Sequence, residues 1–317
     1  MGRQADKNAF CPLPVVAGVA PSYLWLPPGS GEAMLAFLLR QFPAIDADSW
    51  RRRMAKGEVV DGDGRPLAPD SVARPGMRIW YYREVEVETP IPFEETILFQ
   101  DAHLVVVDKP HFLPMTPGGR FLRETLLVRL KDKLGLPALT PIHRLDRETA
   151  GVVVFSSEQR TRGAYQSLFQ QRSVSKVYEA LAVPLALDYP FTYRSRMVDA
   201  EQFFVMREEA GAPNSETIVE LIEPRGALAL YRLRPHTGRK HQLRLHMASL
   251  GAPIVNDTFY PVALPCKGDD YAAPLQLLAR AIAFTDPLTG LPREFVSQRR
   301  LAQAGASIAP PGEDDNR

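Results

Sequence analysis

The order of apolar runs along the chain constrains its fold more than any other feature. Short runs rich in Val, Ile and Leu predict strands, and longer stretches with an apolar residue every three or four positions predict helices. Beyond residue 92 the predicted strands are 104–108, 151–155, 176–183, 217–222 and 228–233, and the predicted helices are 122–134, 159–170 and 240–250. Strands and helices do not alternate as in a doubly wound fold. We therefore predict an α+β domain with a mixed, mainly antiparallel sheet flanked by helices.

The region before residue 90 predicts a separate small domain. Apolar residues from Met34 to Phe42 recur at helical spacing, and a basic stretch at 49–56 predicts a second helix with Ser49 as its N-cap. The Asp-Gly-Asp-Gly turn at 61–64 and a strand-like run ending at Tyr81 then predict a hairpin. This order of two helices and a hairpin loosely resembles the S4-type RNA-binding domain, although a solvated charged face is an equally good interpretation of its balanced charges.

These patterns divide the chain into three regions. Residues 1–90 form an N-terminal extension with an S4-like domain, and a linker at 84–92, which ends in Pro90 and Pro92, connects it to the next region. Residues 91–304 form the larger domain. Residues 305–317, rich in Pro and acidic residues, are predicted to be a disordered tail.

Composition excludes several classes of protein. Two cysteines are too few for a disulfide framework or a cysteine-based zinc site, and they favour a reducing compartment. No apolar run reaches the roughly 18 residues of a spanning helix, and Met1 opens no signal-peptide pattern. We expect a cytoplasmic protein without membrane contact. The net charge of +1 gives no global reason to expect a polyanionic partner.

The segment from His143 to Phe155 is the most informative for chemistry. Its polar residues directly precede an apolar strand, which predicts that Asp146 lies in a loop at the end of a sheet. Arg144 and Arg147 flank Asp146, and nearby cations favour the ionised carboxylate, which can act as a nucleophile. From charge pattern alone, a structural cluster of ion pairs is the stronger interpretation.

A second segment concentrates positive charge. Residues 225–246 hold six Lys and Arg residues and no acid, a density that offers contacts to phosphate. Thr237 is a candidate cap for the helix at 240–250, whose apolar stripe would leave Arg244 beside the core and in need of an anionic partner. The histidines in the segment are five residues apart and do not share a helix face, so we reject a metal site.

A third segment places Tyr178 on a strand directly after a basic turn. A strand tyrosine is usually a packing residue, and only the presence of the other two segments favours a base-stacking role for it.

Together these segments resemble the RluA-type family of pseudouridine synthases. HRLDRETAGVVVFS is similar to that family's catalytic motif, SKVYEALA to its tyrosine motif, and RPHTGRKHQLRLHMASLGAPIVNDTFY to its third motif, in the family's order. VVVDKPHFLPMTPGG resembles the family's opening strand and loop, and LLARAIAFTDPLTGLPREF its C-terminal strands. The resemblance covers about 92–295 and implies the pseudouridine-synthase fold.

The resemblance implies an isomerase that converts uridine to pseudouridine within RNA without a cofactor or a metal. Asp146 would be the nucleophile or general catalytic carboxylate, Arg244 its partner, and Tyr178 the residue that stacks on the target base. Arg144 would fill the gap left by the extruded nucleotide, and His143 has no assigned role. The further residues expected to contact RNA are Arg147, Lys176, Arg234, Arg239, Lys240 and His241.

Two departures from the family pattern are visible. Asp108 stands where the family usually has Asn, and Asn256-Asp257 replaces Gly-Asp. We expect neither to touch the chemistry.

Two rival functions stay open at this point. One is a non-catalytic RNA-binding or RNA-folding protein on the same scaffold, which would have lost the carboxylate or the tyrosine. The other is a hydrolase such as a glycosidase, with Glu148 as its second carboxylate. The third motif leans toward ribosomal and transfer RNA as substrates, and a monomer is the default expectation.

Overall fold

The computed structural model describes residues 11–16, 18–83, 88–201, 204–264 and 271–301. Within these ranges the chain divides into two compact units. The first comprises the described residues of Met1–Glu88 together with Pro117–Arg123, and the second comprises those of Thr89–Thr116 and Glu124–Arg317. The predicted tail at 305–317 and part of the predicted linker, 84–87, lie outside the described residues.

The first unit combines two helices with a small sheet. Its elements are β1 (Ser22–Trp25), α1 (Met34–Gln41), α2 (Ala47–Ala55), β2 (Val59–Asp61) and β3 (Arg78–Tyr81). The three strands pair antiparallel in the order β1-β3-β2. The predicted pair of helices followed by a hairpin is confirmed, and β1 adds a third strand.

The predicted start of α2 is wrong. Asp46, not Ser49, is the N-cap, because its carboxylate accepts the backbone N–H of Ser49 at 2.8 Å and also the Ser49 hydroxyl at 2.7 Å. A carboxylate at this position satisfies a free N–H group of the first turn, so the cap lies three residues before the predicted one and the helix begins at Ala47.

One face of the β1-β3-β2 sheet forms the core of the first unit. Ile79 and Tyr81 of β3 pack with Trp50 and Phe37 of the helices, all of them buried. Because side chains alternate along a strand, Arg78 and Trp80 lie on the opposite face.

The second unit is built on a large sheet. Its strands are β4 (Thr96–Gln100), β5 (Leu104–Lys109), β6 (Thr140–Pro141), β7 (Ala150–Ser156), β8 (Ser175–Ala182), β9 (Phe191–Asp199), β10 (Met206–Glu209), β11 (Ser215–Arg225), β12 (Leu228–Pro235), β13 (Leu277–Thr285) and β14 (Pro292–Val296). Its helices are α3 (Leu126–Leu134), α4 (Gln159–Gln170) and α5 (Gln242–Ser249).

The strand order of this sheet is β10-β9-β11-β12-β8-β13-β7-β5-β4, with β14 paired to β13 and β6 to β7. In the described part of the chain every pairing is antiparallel except that between β13 and β7. The predicted α+β class with a mixed, mainly antiparallel sheet is confirmed. No helix in the described ranges combines the length and apolar character needed to cross a bilayer.

Two predicted helices of this unit have different bounds. α3 begins at Leu126 rather than near 122, because the Thr125 hydroxyl accepts the Val128 N–H and caps it there. α5 begins at Gln242, and Thr237 does not cap it. The Thr237 hydroxyl instead donates to Gln242 Oε1 and accepts the Glu216 N–H of β11.

β9 and β10 are strands that the apolar runs failed to predict. β9 carries Arg194 and Arg196, which form ion pairs with Glu216 of β11 and Glu209 of β10. Opposite charges on neighbouring strands replace the apolar alternation that would have marked this segment.

A single glycine allows β7 and β13 to pair closely. Gly151 has φ +114, and a Cβ built on it would lie 2.2 Å from the carbonyl oxygen of Ala279. Only glycine fits this approach. Gly151 opposes Ala279 of β13, which in turn opposes Tyr178 of β8, so these three residues form one row across the sheet.

Candidate active site

A cleft of about 1180 Å³ lies in the second unit, where the loop before β7, strand β8 and the start of α5 meet. The row from Gly151 to Tyr178 brings the first two of these together, because Asp146 lies in the loop five residues before Gly151. The predicted location of Asp146 in a loop at a sheet end is confirmed. Asp146, Tyr178 and Arg244 all line the cleft.

Arg244 connects two carboxylates. Its Nε and Nη2 donate to the two oxygens of Asp257 at 2.8 and 2.7 Å, while its Nη1 donates to Asp146 Oδ2 at 3.4 Å. Glu148 Oε2 lies 3.6 Å from the same Nη1. The side chain of Arg244 is 1% exposed and that of Asp146 is 24% exposed, so the guanidinium is buried while the Asp146 carboxylate still faces the cleft.

The charge of Arg244 is stabilised despite this burial. Burial disfavours the guanidinium cation, but the carboxylates of Asp257, Asp146 and Glu148 outweigh that cost and raise the pKa of Arg244 above its usual value. The ring of Phe259 adds a cation–π contact, 4.5 Å from the guanidinium carbon. The anionic partner expected for Arg244 is therefore present.

Asp257 is a site residue that the sequence did not predict. Asp257 makes the tightest contacts of Arg244. The departing residue is its neighbour Asn256, whose side chain donates to the Pro274 carbonyl at 3.0 Å and is not part of the cleft lining. Asn256 adopts φ +63, a conformation that glycine favours and asparagine tolerates, which explains how it can replace the family's glycine.

The arginines that flank Asp146 do not pair with it. Arg147 Nε donates to the carbonyl of Phe112 at 3.0 Å, and its Nη1 lies 3.9 Å from Glu148. Arg144 is exposed, lines the cleft and has no ion pair within the described ranges. The predicted flanking pair is therefore wrong, and Arg244 supplies the cation from another element.

Of the other residues predicted to contact RNA, some line the cleft and one lies outside its lining. Lys176, Arg239 and Lys240 line the cleft, where Lys176 Nζ donates to the Thr237 carbonyl and Lys240 pairs with Asp199 at 2.9 Å. Arg234 lies outside the lining and contacts Glu220 at 3.3 Å.

His241 joins the site at the start of α5. Its Nε2 lies 3.8 Å from Asp146 Oδ1, its Nδ1 lies 3.1 Å from the Tyr260 hydroxyl, and its ring stacks on Phe259. Burial lowers the pKa of His241 although the Asp146 charge opposes this, which favours the neutral ring.

Two basic side chains, buried Lys109 and half-buried His143, hold the loop that carries Asp146. Lys109 Nζ, at the end of β5, donates to the carbonyls of Pro110, Leu113 and Arg147, and burial lowers its pKa to about 7. His143 Nε2 accepts the Val154 N–H at 3.1 Å, and burial lowers the pKa of His143 to about 3. His143 thus has the structural role that the sequence did not indicate.

Tyr178 presents a partly exposed ring to the cleft. Within the described ranges its hydroxyl makes no hydrogen bond and no aromatic ring stacks on it. Burial raises the pKa of Tyr178, so its hydroxyl stays protonated. This geometry leaves the ring available to a base.

The three histidines of the basic segment are spread over the site. His236 is largely exposed, His241 faces the cleft, and buried His246 is bonded to Thr217 and Ser215. In the described ranges no three His, Cys, Asp or Glu side chains come together in a way that could hold a metal ion.

Comparison with known proteins adds independent information about this chain. Residues 103–249 match the family model for RNA pseudouridylate synthases. The dual-specificity RNA pseudouridine synthase RluA of Haemophilus influenzae is 31% identical over 219 residues, which cover 65% of this chain and 94% of that protein. The mitochondrial tRNA pseudouridine(32) synthase of Saccharomyces cerevisiae is 27% identical over 72% of this chain and 50% of its own length.

A solved structure agrees with these relatives. The human RNA pseudouridylate synthase domain containing 4 superposes with a TM-score of 0.52 at 26% identity, covering 66% of this chain and 89% of that one. Fold and sequence thus define an RNA-modifying isomerase. The chain belongs to the RNA pseudouridine synthase family, in its RluA-type branch.

Proposed function

We propose that this protein converts uridines of ribosomal or transfer RNA to pseudouridine, with Asp146 as the catalytic nucleophile. The observation that carries the proposal is the Asp146 carboxylate, which faces the cleft and contacts the buried Arg244 cation at 3.4 Å. Two observations support this substrate class. The third motif favours ribosomal and transfer RNA, and the yeast relative is named as a tRNA pseudouridine synthase.

The reaction is an isomerisation that balances without any other reactant. The Asp146 carboxylate attacks C1′ of the ribose, and the C1′–N1 bond breaks with its electron pair on the uracil. The uracil then rotates, and C5 bonds to C1′ as the carboxylate leaves. The proton on C5 is lost and N1 takes one up, so the product has the mass of the substrate.

Asp146 is suited to this role because Arg244 already has other partners. The Arg244 guanidinium places a positive charge 3.4 Å from the Asp146 carboxylate, and opposite charges at this distance attract. Asp257 holds the guanidinium by two hydrogen bonds, so Asp146 can leave its single contact without leaving Arg244 unpaired.

The target uridine has to leave its stack to reach Asp146. Extrusion costs a few kcal/mol, and stacking on one aromatic ring returns roughly 1–3 kcal/mol. The free ring face of Tyr178 supports the role of base platform. The exposed guanidinium of Arg144 supports insertion into the gap in the RNA.

Phosphate contacts supply the remaining binding energy. We assign these to Lys176, Arg239, Lys240 and His241, which line the cleft together. Arg147 and Arg234 are left out of this set, because the first is bonded to Phe112 and Glu148 and the second faces Glu220.

A hydrolase is the weaker alternative. A glycosidase needs two carboxyl groups that flank the bond to be cleaved. Glu148 does not line the cleft in the described ranges, and it shares Nη1 of Arg244 with Asp146. Free uracil as a product would support hydrolysis, whereas RNA of unchanged mass supports isomerisation.

Three further assignments belong to the proposal. We assign RNA binding to the S4-like region within 1–90 and catalysis to 91–304. We propose a monomer, and a cytoplasmic location that rests on the low cysteine content.

Release of tritium from RNA labelled at C5 of uridine tests the function directly. Wild type should release tritium from ribosomal or transfer RNA, and Asp146→Ala should not. Asp188→Ala is the matched control, because Asp188 is an exposed carboxylate of the same unit outside the cleft lining. RNA binding without tritium release by wild type would favour a non-catalytic protein.

A further inference from the structure

The outer face of the β1-β3-β2 sheet in the first unit carries an aromatic patch around one arginine. Tyr23 and Trp25 of β1 lie opposite Trp80 and Arg78 of β3, and the two pairs share the face that points away from the core of the unit. We call these four residues the aromatic–arginine platform. The side chains of Tyr23 and Trp25 are exposed, with 50% and 52% of the residue surface accessible.

The platform is organised around the guanidinium of Arg78. Its central carbon lies 5.0 Å from the ring centre of Trp80, 5.1 Å from that of Trp25 and 5.9 Å from that of Tyr23. The rings of Tyr23 and Trp80 are themselves 5.0 Å apart. Cross-strand pairing therefore fixes three rings and one planar cation on one face of the sheet, where Tyr23 and Trp25 are exposed and Trp80 is buried.

Arg78 has no anionic partner in the ranges that the structure describes. Its Nε and the Nε1 of Trp80 are both buried and make no hydrogen bond there. Buried donors in native proteins are almost always satisfied. The face thus combines an unneutralised positive charge, unsatisfied donors and exposed rings. A solvated charged surface would instead carry paired charges and few exposed aromatic rings.

We propose that the aromatic–arginine platform binds unpaired bases of single-stranded RNA. Bases stack on aromatic side chains and on arginine planes, and the cation also attracts the phosphate backbone. An acidic protein surface would contact the charge, and an apolar one would contact the rings. A single-stranded nucleic acid contacts both, through its phosphates and its bases. The proposal rests on family membership and not on the role of Asp146, since the platform belongs to the first unit and the cleft to the second.

A photo-cross-linking experiment on the full chain tests this assignment. The probe is an oligouridylate of about twelve nucleotides, within the size that single-strand-binding sites occupy, with 4-thiouridine at alternate positions. It is mixed at a concentration below its dissociation constant, irradiated and mapped by mass spectrometry. We expect cross-links on the peptide that contains Tyr23 and Trp25, separate from those at the cleft.

Variants then measure the contribution of the platform. Trp25→Ala should lower the platform cross-link by at least about fivefold, the affinity change that corresponds to loss of one stacked base, and Arg78→Gln should lower it as well. Val72→Ala is the matched control, because Val72 is an equally exposed apolar residue of the same unit. Equal melting temperatures establish that each variant is folded, and tritium release with saturating RNA reports the catalytic site separately.

Three outcomes would overturn the proposal. Cross-links confined to the cleft would exclude the platform as an RNA site. An unchanged platform cross-link in Trp25→Ala would exclude stacking there. A change of sedimentation coefficient in Trp25→Ala, with RNA cross-linking intact, would identify the face as a contact between copies of the chain.

Discussion

Arg244 holds Asp257 by two hydrogen bonds of 2.8 and 2.7 Å, although Asp257 is not the carboxylate that faces the cleft. Both side chains are 1% exposed. The contact of Arg244 with Asp146 is a single one of 3.4 Å. We infer that Asp257 is a positioning residue that fixes the guanidinium, so that Asp146 is stabilised by a cation whose position does not depend on it.

Asp257→Asn should therefore affect both stability and turnover. Breaking a buried ion pair typically costs about 3–5 kcal/mol, and the remaining contacts of Arg244 with Asp146 and Glu148 place the expected loss near the lower value. Urea unfolding measures this loss, with Asp188→Asn as an exposed control. Tritium release should show a lower kcat with little change in KM, since Asp257 touches no RNA. A change in KM alone would contradict the positioning role.

Arg244→Lys separates charge from geometry. Lysine keeps the positive charge but cannot donate two parallel hydrogen bonds to Asp257. We expect lower kcat and a lower melting temperature than in wild type, and a larger loss of both in Arg244→Ala, which leaves buried Asp257 without its cation. If Arg244→Ala retained the rate and melting temperature of wild type, the central role of this arginine would be refuted.

Asp146→Asn should abolish turnover and leave the fold intact. Asp146 makes only the longer contact with Arg244 and is partly exposed, so we expect a change in unfolding free energy of less than about 1 kcal/mol. RNA binding by gel shift should persist, because the Lys and Arg residues of the cleft are unchanged. Normal tritium release by this variant would exclude Asp146 as the nucleophile.

Gly151→Ala tests the packing that sets the Asp146 loop beside Tyr178. A Cβ at this position would lie 2.2 Å from the Ala279 carbonyl oxygen, so β7 and β13 would have to separate. We expect the free energy of unfolding to fall by more than about 3 kcal/mol, in the range of severe backbone and overpacking effects.

Gly135→Ala is the control. Gly135 also has positive φ, +65, but a Cβ added there would meet no atom within 4 Å. Its expected cost is about 1–2 kcal/mol, the cost of placing a Cβ in the left-handed region. Equal losses in the two variants would contradict the packing argument.

Much of the site could be predicted because its residues lie in three continuous motifs. Asp146, Tyr178 and Arg244 are far apart in the sequence, and family resemblance alone placed them together. Asp257 was missed because its partner is set by how the chain turns after α5, which no periodic pattern encodes. The pairing of Asp146 with its neighbours was predicted wrongly because adjacent charges in a loop need not face each other.

The fold was predictable where strands are continuously apolar. β5 and β7 contain the continuous apolar runs 104–107 and 152–155, whereas β9 is stabilised by ion pairs across strands and leaves no apolar signature. Cap positions were also missed, since Asp46 and Ser49 are both good capping residues and only the three-dimensional path of the chain selects one.

His246 predicts a defined loss of stability in acid. It is completely buried, its ring bonds to Thr217 and to Ser215, and burial lowers its pKa from 6.5 to about 4. The folded state therefore binds fewer protons than the unfolded state between pH 6.5 and about 4.

The contribution of His246 to the free energy of unfolding is complete above pH 6.5. It declines as the pH falls to about 4, by up to about 1.4 kcal/mol per pH unit. The free energy of unfolding, measured with urea at each pH across this range, should depend less steeply on pH in His246→Gln than in wild type. Identical slopes for wild type and His246→Gln would show that His246 does not titrate with unfolding.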